Sequence, residues 1–528
     1  MGSKKLASVT ALSLLLLGIV WAFASPRGSS ADEGFHLTNI WCAWGNSDLC
    51  QIEQETGVVL VPDSIANAAC FTLWPSQNGA GCLKDLSMDL VQVGSTISIA
   101  EPTYSLGFFK TMRVFAGENI EMSVQIMRIF NGMISSLLFF WALVAATRPI
   151  ARALAISWGV AIIPIGIFFI ASVNPSSWVI MGVGTFWAFL ASALGPGEKT
   201  KTQLWSLWLG AAVSFTVAML ARTDSGVYLC ATIGAIFIWR WKSIRVHLSR
   251  TKVLIFLGGL AAIVLGTAMM LLSRYNQIQF SFPGAQTSTD QPVPLLKSFL
   301  ELPSFLFGLF GGQTAKFIIT DSEVARGVEG YRPSGFLFGV GWTEFPLPSL
   351  VGLLIGAAVF GTVVIGFTRY SKPRVFAVTF LVLAFVAQVV LMRASIDFGR
   401  AMLQPRYFFP YVLIILGLCV TISVKRGHFF SRVQLLLSSI PILIAGSLAW
   451  LATATRYAVS PSAAYTNFGQ PLDWWWEFGP GRLTWFLVVI LVSGLWVAVT
   501  LGLWGCSSSM HDRDGSEDTT NKKRGSFL

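Results

Sequence analysis

The chain has 528 residues, of which 54% are hydrophobic and only 12% are charged, and its mean hydropathy is +0.65. Soluble domains carry about 25% charged residues, so this composition excludes a soluble protein. The net charge of +11 comes from 37 basic and 26 acidic residues. Most of the basic excess lies in short loops between apolar runs, so it reflects membrane topology and no nucleic-acid partner is expected.

Apolar runs long enough to cross a hydrocarbon core of about 30 Å as helices recur along the whole chain. They predict an all-α polytopic membrane protein with about twelve transmembrane helices. The predicted spans are 6–24, 125–146, 153–172, 177–193, 204–221, 225–239, 253–272, 348–368, 375–393, 406–423, 432–453 and 483–504.

Loop charge predicts the orientation of these spans. If the N-terminus with Lys4 and Lys5 is cytoplasmic, every short inner loop carries at least two Lys or Arg residues, as the positive-inside rule requires. Both termini are then cytoplasmic. The predicted divisions are 1–24 (first span or uncleaved signal), 25–124 (first outer loop), 125–272 (spans two to seven), 273–347 (second outer loop), 348–504 (spans eight to twelve) and 505–528 (disordered tail).

Two segments leave alternatives open. Residues 1–24 also fit a cleavable signal peptide, whose removal would leave eleven spans and keep every later loop on the same side. Residues 293–312 are nearly long enough to span, but they contain Lys297, Glu301 and Pro303. They are interpreted as an interfacial or re-entrant helix in the second outer loop, because a further span would turn two basic loops outward.

Four of the seven cysteines lie in the first outer loop. An even set in an oxidising compartment predicts two disulfides, and Cys42 with Cys50 and Cys70 with Cys82 is the most local of three connectivities. Four free thiols are the alternative. A zinc site is disfavoured by the spacing and by the presence of only one His in the loop.

The first outer loop also carries an acidic pair, in the stretch "SSADEGFHLTNIWC". If this stretch is helical, Asp32 and His36 share a face and Glu33 points partly elsewhere. A carboxylate beside low-dielectric lipid can take a proton from a hydroxyl or hold a divalent ion, whereas the alternative is a solvated start of a loop. Mg²⁺ or Mn²⁺ is left open as a cofactor, with no metal ligands assigned.

Outward-facing arginines form a second signal, since the positive-inside rule makes them less expected on that side. Arginine forks bind phosphate oxygens, so Arg222, Arg400 and Arg406 are candidates for binding an anionic substrate, and ordinary snorkelling or ion pairing is the alternative. Gln404 and Tyr407 flank Arg406 and join the candidate binding residues.

Further candidate binding residues lie in two other outer segments. Asn174 belongs to the tight turn "SVNPSSW", where turn chemistry is the alternative to ligand contact. Trp342 and Glu344 lie in "FGVGWTEFPLP", just before a span. The tryptophans of "DWWWEFGPGR" fit an interfacial belt or sugar stacking.

In this order, the motifs resemble an uncharacterised family of bacterial multi-pass membrane proteins, domain-of-unknown-function family twenty-one forty-two. The matching elements are the acidic motif from Asp32 to His36, the turn at Asn174 and Pro175, "GWTE", and "QPRYFFP" at the start of a span. The chain departs from the family pattern in two places: the prolines expected directly before the acids are displaced to "SPRGSSADE", and Pro405 replaces the usual Gly.

The family is similar in plan to integral-membrane glycosyltransferases of the GT-C type, which place an acidic motif in the first outer loop and use polyprenyl-phosphate sugars. The resemblance implies that Asp32 is the base or a metal-associated acid and that Glu33 assists it. No nucleotide-binding motif is present, which agrees with a donor that is already activated and carried in the membrane.

The expected function is therefore transfer of a sugar from a polyprenyl-phosphate donor to a glycan or glycolipid acceptor, outside a bacterial plasma membrane. The rival is a transporter or flippase for a lipid-linked or cell-envelope glycan.

Overall fold

Helices make up most of the described chain. In the computed structural model the described residues are 3–53, 58–71, 79–93, 106–222, 224–247, 295–300, 302–310, 347–368, 371–394, 405–421, 429–458, 475–476 and 481–506.

The α-helices are numbered here in chain order. They are α1 (Ser3–Ala22), α2 (Glu33–Trp41), α3 (Asp63–Ala66), α4 (Leu106–Met112), α5 (Ile120–Ala145), α6 (Arg148–Ala161), α7 (Ile167–Ile170), α8 (Ser176–Ala193), α9 (Lys201–Ala221), α10 (Ser225–His247), α11 (Leu295–Leu300), α12 (Leu302–Gly308), α13 (Ser349–Phe367), α14 (Lys372–Ala394), α15 (Phe409–Val420), α16 (Arg432–Ala458), α17 (Arg482–Val497) and α18 (Trp504–Cys506). Short 3-10 turns cover Ala80–Lys84, Arg113–Phe115 and Pro405–Phe408, and π-helical turns cover Ile162–Gly166 and Ala498–Leu503.

Nine segments of the described chain are helical, long and apolar enough to cross a membrane. They are Lys4–Ala22, Ile120–Ala145, Arg148–Ile170, Ser176–Ala193, Lys201–Ala221, Ser349–Phe367, Lys372–Val390, Arg432–Ala458 and Arg482–Leu503. A shorter apolar helix covers Arg406–Val420. These ten segments coincide with ten of the predicted spans, which makes the protein a polytopic helical membrane protein.

The two remaining predicted spans have different outcomes. The span at 225–239 corresponds to α10, which is long enough but carries Arg240, Lys242 and Arg245 near its end. The span at 253–272 lies outside the described residues. The total of twelve therefore stays a prediction.

Capping residues and prolines in the sequence set several helix boundaries. The side chain of Asn119 accepts a hydrogen bond from Met122 N at 2.9 Å at the start of α5, and Thr200 accepts one from Gln203 N at 3.1 Å at the start of α9. These are N-caps, which satisfy backbone donors that the first helical turn leaves open. The chain after α1 reaches Pro26, which cannot continue a helix interior.

The predicted continuous span 153–172 is interrupted in the structure. Between α6 and α7 the chain forms the π-helical turn Ile162–Gly166, and Ile163 has non-helical angles of φ −95° and ψ 135°. Pro164 has no backbone N–H and disfavours helical angles at the residue before it, which accounts for the break.

Helices α6, α7 and α8 form the centre of the bundle, because nearly all their residues are buried. The surrounding helices bury one side and expose large apolar side chains on the other. Examples are Trp205, Leu353, Leu383, Leu437 and Leu491, which are 60% to 75% exposed. In a chain with this many apolar helices, such surfaces face the lipid bilayer.

The first loop has its own small fold. Strands β1 (Gln51–Ile52), β2 (Val59–Pro62) and β3 (Leu90–Val93) form an antiparallel sheet in the order β1-β2-β3. Disulfides join Cys42 to Cys50 and Cys70 to Cys82, the most local of the connectivities that the sequence left open. The prediction of two disulfides is confirmed.

A glycine brings the chain after α1 against this small fold. Gly28 has φ +78°, and a Cβ atom there would lie 2.0 Å from the backbone oxygen of Ala68. Only glycine combines this angle with so close a backbone approach. The segment that leads to Asp32 is thereby held against the disulfide-bonded loop.

The segment 293–312 contains α11 and α12, of six and seven residues. Neither helix alone is long enough to cross a membrane. Its interfacial placement stays a prediction.

The two ends of the bundle are distinguished by their contacts. At the Asp32 end, α1 ends, Arg406 begins the short apolar helix, and Tyr457 at the end of α16 donates from its hydroxyl to Ser29 O at 3.2 Å. At the other end, Arg152 near the start of α6 donates to Trp504 O at 2.8 Å. This end is called the Arg374 end, because Arg374 near the start of α14 lies close to the start of α6. These contacts place Asp32, Arg406 and the end of α16 at one end of the bundle and the start of α6 with Trp504 at the other.

Candidate functional site

Asp32 lies at the N-terminal end of α2 and has an unusual backbone conformation. Its φ of 62° and ψ of 9° are left-handed, and among the described residues it is the one non-glycine residue with positive φ. Asp tolerates this region better than most residues, and such conformations are concentrated at functional sites. Its side chain is 39% exposed, and Oδ2 accepts a hydrogen bond from Arg406 Nη2 at 2.7 Å.

Arg406 is buried, with only 4% of its side chain exposed. Its Nη2 also donates to the hydroxyl of Tyr407 at 3.2 Å, and its guanidinium carbon lies 5.0 Å from the ring centres of Phe169 and Tyr407. Its Nε and Nη1 are buried and have no hydrogen-bond partner within the described ranges. A buried guanidinium therefore presents unused donors beside a half-exposed carboxylate.

Arg222 also contacts the Tyr407 ring. Its guanidinium carbon is 4.2 Å from the ring centre, and it forms a two-bond pair with Asp224, at 3.0 and 2.6 Å. It also donates to Ser176 Oγ at 3.5 Å. The ion-pairing alternative thus applies to Arg222, although its position beside Tyr407 keeps it within the same cluster.

A small cavity lies among Arg222, Arg406, Tyr407, Ser176 and Tyr228. Its volume is about 10 Å³, which corresponds to about one water molecule.

His36 lies one helical turn after Asp32, and its backbone N–H donates to Asp32 O at 2.9 Å. Its ring packs against Phe35 and Phe109. Burial lowers the pKa of His36 to about 3; the charge of Asp32 opposes this, and the charges of Arg406 and Arg222 add to it. His36 is therefore neutral near pH 7.

Glu33 faces the bundle interior instead of this cluster. Its carboxylate is fully buried and accepts hydrogen bonds from Arg128 Nη2 at 3.0 and 3.1 Å, from Ser30 N at 3.1 Å and from Val173 N at 2.9 Å. The helical spacing correctly predicts that Asp32 and Glu33 point in different directions. The dense set of donors around Glu33 gives it a positioning role.

Arg128 completes this positioning network. Its guanidinium donates to three backbone oxygens at the end of α1, those of Ala22, Ser25 and Pro26, at 3.1, 2.6 and 2.7 Å. Ala22 is the last residue of α1, where carbonyl groups have no intrahelical partners and a cation is favourable, and Ser25 and Pro26 follow in the segment that leads to Asp32. Arg128 is thereby committed to structural contacts.

Asn174 holds the same region from the turn before α8. Its side-chain amide donates to Ala31 O at 2.7 Å, and its side-chain oxygen accepts from Ser176 N at 2.9 Å. It is 1% exposed. Asn174 thus fixes the backbone next to Asp32, and both its side-chain groups are used within the protein.

The other predicted residues are placed as follows. Trp342, Glu344, Arg400 and Gln404 lie outside the described residues. Trp475 and Trp476 are buried in a second core with Phe23, Phe71 and Tyr457, which fits neither an exposed belt nor an open sugar platform. Ser176, Asp224 and Tyr228 belong to the cluster without having been predicted as site residues. They lie at or within a few residues of the starts of α8 and α10, and the turns before these helices were the available signal.

No group of three His, Cys, Asp or Glu residues suited to a metal ion occurs among the residues that the structure describes. The metal ligands, left unassigned at the sequence level, stay unassigned.

Comparison with known proteins identifies a family. Residues 15–415 match the family described as "Predicted membrane protein (DUF2142)". The chain belongs to this family. The matched range includes Asp32, Asn174 and Arg406, and the predicted resemblance to this family is confirmed. No curated protein and no solved structure matches the chain.

Proposed function

We propose that this member of the DUF2142 family is an integral-membrane glycosyltransferase, similar in plan to the GT-C type. It transfers a sugar from a polyprenyl-phosphate donor to a cell-envelope glycan or glycolipid. The Asp32 end of the bundle faces outward from the plasma membrane in this proposal, with both termini in the cytoplasm, as the loop charges predict.

The observation that carries the proposal is the pairing of Asp32 with Arg406. A buried guanidinium has unused N–H donors at Nε and Nη1, and a carboxylate that is 39% exposed lies 2.7 Å from its Nη2. Phosphate oxygens are the acceptors that a guanidinium fork prefers. Arg406 can therefore hold a donor phosphate with one part of its fork and Asp32 with another.

The reaction follows from this arrangement. Asp32 accepts the proton of an acceptor hydroxyl, whose oxygen forms a bond to the anomeric carbon of the donor sugar. The bond between that carbon and the phosphate oxygen breaks, and polyprenyl phosphate leaves with the electron pair. Arg406 stabilises the negative charge that develops on the leaving phosphate.

The surroundings of the two acids support Asp32 as the base. Glu33 is fully buried and accepts four hydrogen bonds from three different groups, so a hydroxyl has no access to it. The Asp32 side chain is 39% exposed, and the one hydrogen-bond partner of its carboxylate in the described part of the chain is Arg406. Glu33 assists by fixing the chain before α2.

The remaining candidate residues complete the proposed substrate site. Tyr407 and Arg222 flank Arg406, and His36 is neutral and lies one helical turn from Asp32. Trp342, Glu344, Arg400 and Gln404 are proposed as further donor or acceptor contacts on the sequence grounds given above.

The test is transfer by the purified full chain in liposomes, supplied with a panel of polyprenyl-phosphate sugars and an extract of envelope glycolipids. Loss of a general base typically costs about 100-fold or more in rate, so Asp32→Asn should lower the rate of polyprenyl phosphate release by at least that factor. Arg406→Lys keeps the charge but loses the fork, and it should weaken donor binding on the order of 10-fold.

Asp48→Asn is the matched control, because Asp48 is an exposed acid in the same loop. Wild-type transfer by Asp32→Asn would overturn the assignment of the base. Movement of an intact glycolipid across the liposome membrane, with no new glycosidic bond, would favour the rival transporter. EDTA treatment of the wild type, followed by Mg²⁺ or Mn²⁺, decides whether the reaction needs a metal ion.

A further inference from the structure

A larger cavity lies at the Arg374 end, far along the helices from Asp32. Its volume is about 450 Å³, within the range of about 300–1,000 Å³ that is usual for small-molecule sites. It is formed where α6 begins, α8 and α15 end and α14 begins, together with α10. Its lining residues include Thr147, Gly195, Trp239, Arg240, Ser371 and Arg374.

Arg240 is held in this cavity by an indole ring and a glycine. Its guanidinium carbon lies 3.8 Å from the ring centre of Trp239, a stacking contact. A Cβ atom on Gly195 would lie 3.2 Å from Arg240 Nη2, so the absence of a side chain there gives the guanidinium its place. Its Nε is buried without a hydrogen-bond partner among the described residues.

Arg374 approaches the same indole from α14. Its guanidinium carbon lies 5.9 Å from the ring centre of Trp239. Its Nε and Nη1 are both buried, and no described residue bonds to them. The charge of Arg374 acts unfavourably on Arg240, and that of Arg240 acts unfavourably on Lys199, so three cations share this region.

No described carboxylate forms an ion pair with Arg240 or Arg374. Bringing like charges together in a partly buried space is unfavourable unless an anion compensates them. The positive-inside rule alone does not require this arrangement, because Arg148 and Arg245 at the same end are exposed to solvent.

We propose that this cavity binds a phosphate-bearing anion between Arg240 and Arg374. Two guanidinium groups match the geometry of phosphate oxygens, and the hydroxyl-bearing residues Thr147 and Ser371 line the same space. The phosphate belongs either to the headgroup of an anionic lipid or to a soluble phosphate ester. The site is separate from the proposed transfer site and does not depend on it.

The experiment compares the full-length protein with Arg240→Gln, Arg374→Gln and the double variant. In the lipid arm, native mass spectrometry counts phosphatidic acid retained by the detergent-solubilised protein, with phosphatidylcholine as background. In the soluble arm, the Tm is measured with glycerol 3-phosphate and with chloride at matched ionic strength. Arg245→Gln is the control, since it makes the same change in charge on an exposed residue of α10.

If the ligand is a phosphate-bearing lipid, retention of phosphatidic acid should fall on the order of 10-fold in each single variant and further in the double variant. Glycerol 3-phosphate should then leave the Tm unchanged. If the ligand is a soluble phosphate ester, glycerol 3-phosphate should raise the Tm of the wild type but not that of the variants, and retention of phosphatidic acid should be the same in all of them. Either result supports the proposal and identifies the source of the phosphate.

The Tm without added anion separates ligand binding from a structural role. Each single variant removes repulsion between two cations, so its Tm should equal or exceed that of the wild type. A lower Tm in both single variants would show that the arginines are structural and would overturn the proposal. The proposal also fails if neither arm distinguishes wild type from variants, or if Arg245→Gln has the same effect as the cavity variants.

Discussion

Two neighbouring acids of this protein have opposite surroundings. Asp32 is half-exposed beside one arginine, whereas Glu33 is fully buried among backbone donors and the Arg128 guanidinium. The difference follows from the backbone, because Asp32 precedes α2 with left-handed angles whereas Glu33 is the first residue of the helix. A buried ion pair of this kind is costly to break, since the remaining charge has no solvent to stabilise it.

Glu33→Gln should therefore destabilise the protein by about 3 kcal/mol, because Arg128 keeps its charge inside the bundle without a carboxylate. Thermal unfolding of the purified protein in detergent measures the change. Glu118→Gln is the matched control: Glu118 is exposed at the same end, and its substitution should change stability by no more than about 0.5 kcal/mol. Equal stability of the two variants would contradict the buried role of Glu33.

The burial of the His36 side chain should make the stability of the protein depend on pH. Burial lowers its folded-state pKa from 6.5 to about 3, so between these values the unfolded chain binds a proton that the folded protein does not. Stability attributable to His36 is complete above about pH 6.5 and is lost as the pH falls towards about 3, by at most about 1.4 kcal/mol per pH unit.

His36→Gln cannot titrate, so its Tm should fall less than that of the wild type between about pH 6.5 and about pH 4. All other titratable groups are the same in the two proteins, so their contribution to the Tm cancels in the comparison. Parallel Tm curves for the two proteins would contradict the shifted pKa.

Sequence patterns predicted Asp32, Arg222, Arg406 and Tyr407 as site residues, and the structure brings these four together. Their signal was polar chemistry at the ends of apolar runs that the loop charges predict to face outward. The positioning roles of Glu33 and Asn174 depend on Arg128 and Ala31, at separations of 95 and 143 residues. Helical periodicity contains no information about such distant partners, so these roles required the structure.

At the scale of elements, hydropathy located the helices well because each span must satisfy its own backbone hydrogen bonds in lipid. It did not locate the break at Pro164, where apolar residues continue without interruption on both sides. Nor did it show which helices are central. The buried helix α8 and the largely exposed helix α9 are both apolar enough to span a membrane, so only the contacts show which of them is central.

Helices α8 and α9 lie so close together that the addition of one methyl group at their contact tests the packing. A Cβ atom on Gly182 would lie 2.7 Å from Ser214 O and 3.0 Å from Ala218 N, which are backbone atoms of α9. Gly182→Ala should therefore force the helices apart and cost about 1–3 kcal/mol. The measurement is again the Tm of the purified protein.

Gly494→Ala is the control for this substitution. Gly494 lies within α17, and among the described residues no heavy atom outside the neighbouring backbone of this helix comes within 4 Å of a Cβ at this position. Alanine is the better helix former, so the control should be neutral or slightly stabilising. A similar loss of stability in both variants would contradict a specific contact at Gly182.

For the whole molecule, the central question is which side of the membrane each end faces. The structure groups the helix ends into two sets, and the loop charges predict that the Asp32 end is outside. Asp48 and Glu198 are exposed residues at opposite ends. They are suitable positions for cysteine labelling because Cys42, Cys50, Cys70 and Cys82 are bonded in pairs.

In a background with Cys230, Cys419 and Cys506 replaced by serine, a membrane-impermeant maleimide should label Asp48→Cys in intact cells. It should label Glu198→Cys only after the membrane is permeabilised. The opposite pattern would place Asp32 in the cytoplasm and would remove the basis for a donor presented at the outer surface.

The ribosome synthesises the partners of the two acids at different times. Glu33 meets Arg128 after 95 further residues, so its pair can form once the second span has been inserted. Asp32 is separated from Arg406 by 374 residues, and most of the bundle must be synthesised before that pair exists. A growing chain thus carries a firmly anchored but incomplete acidic motif through nearly all of its synthesis, and the site is completed only among the last helices to enter the membrane.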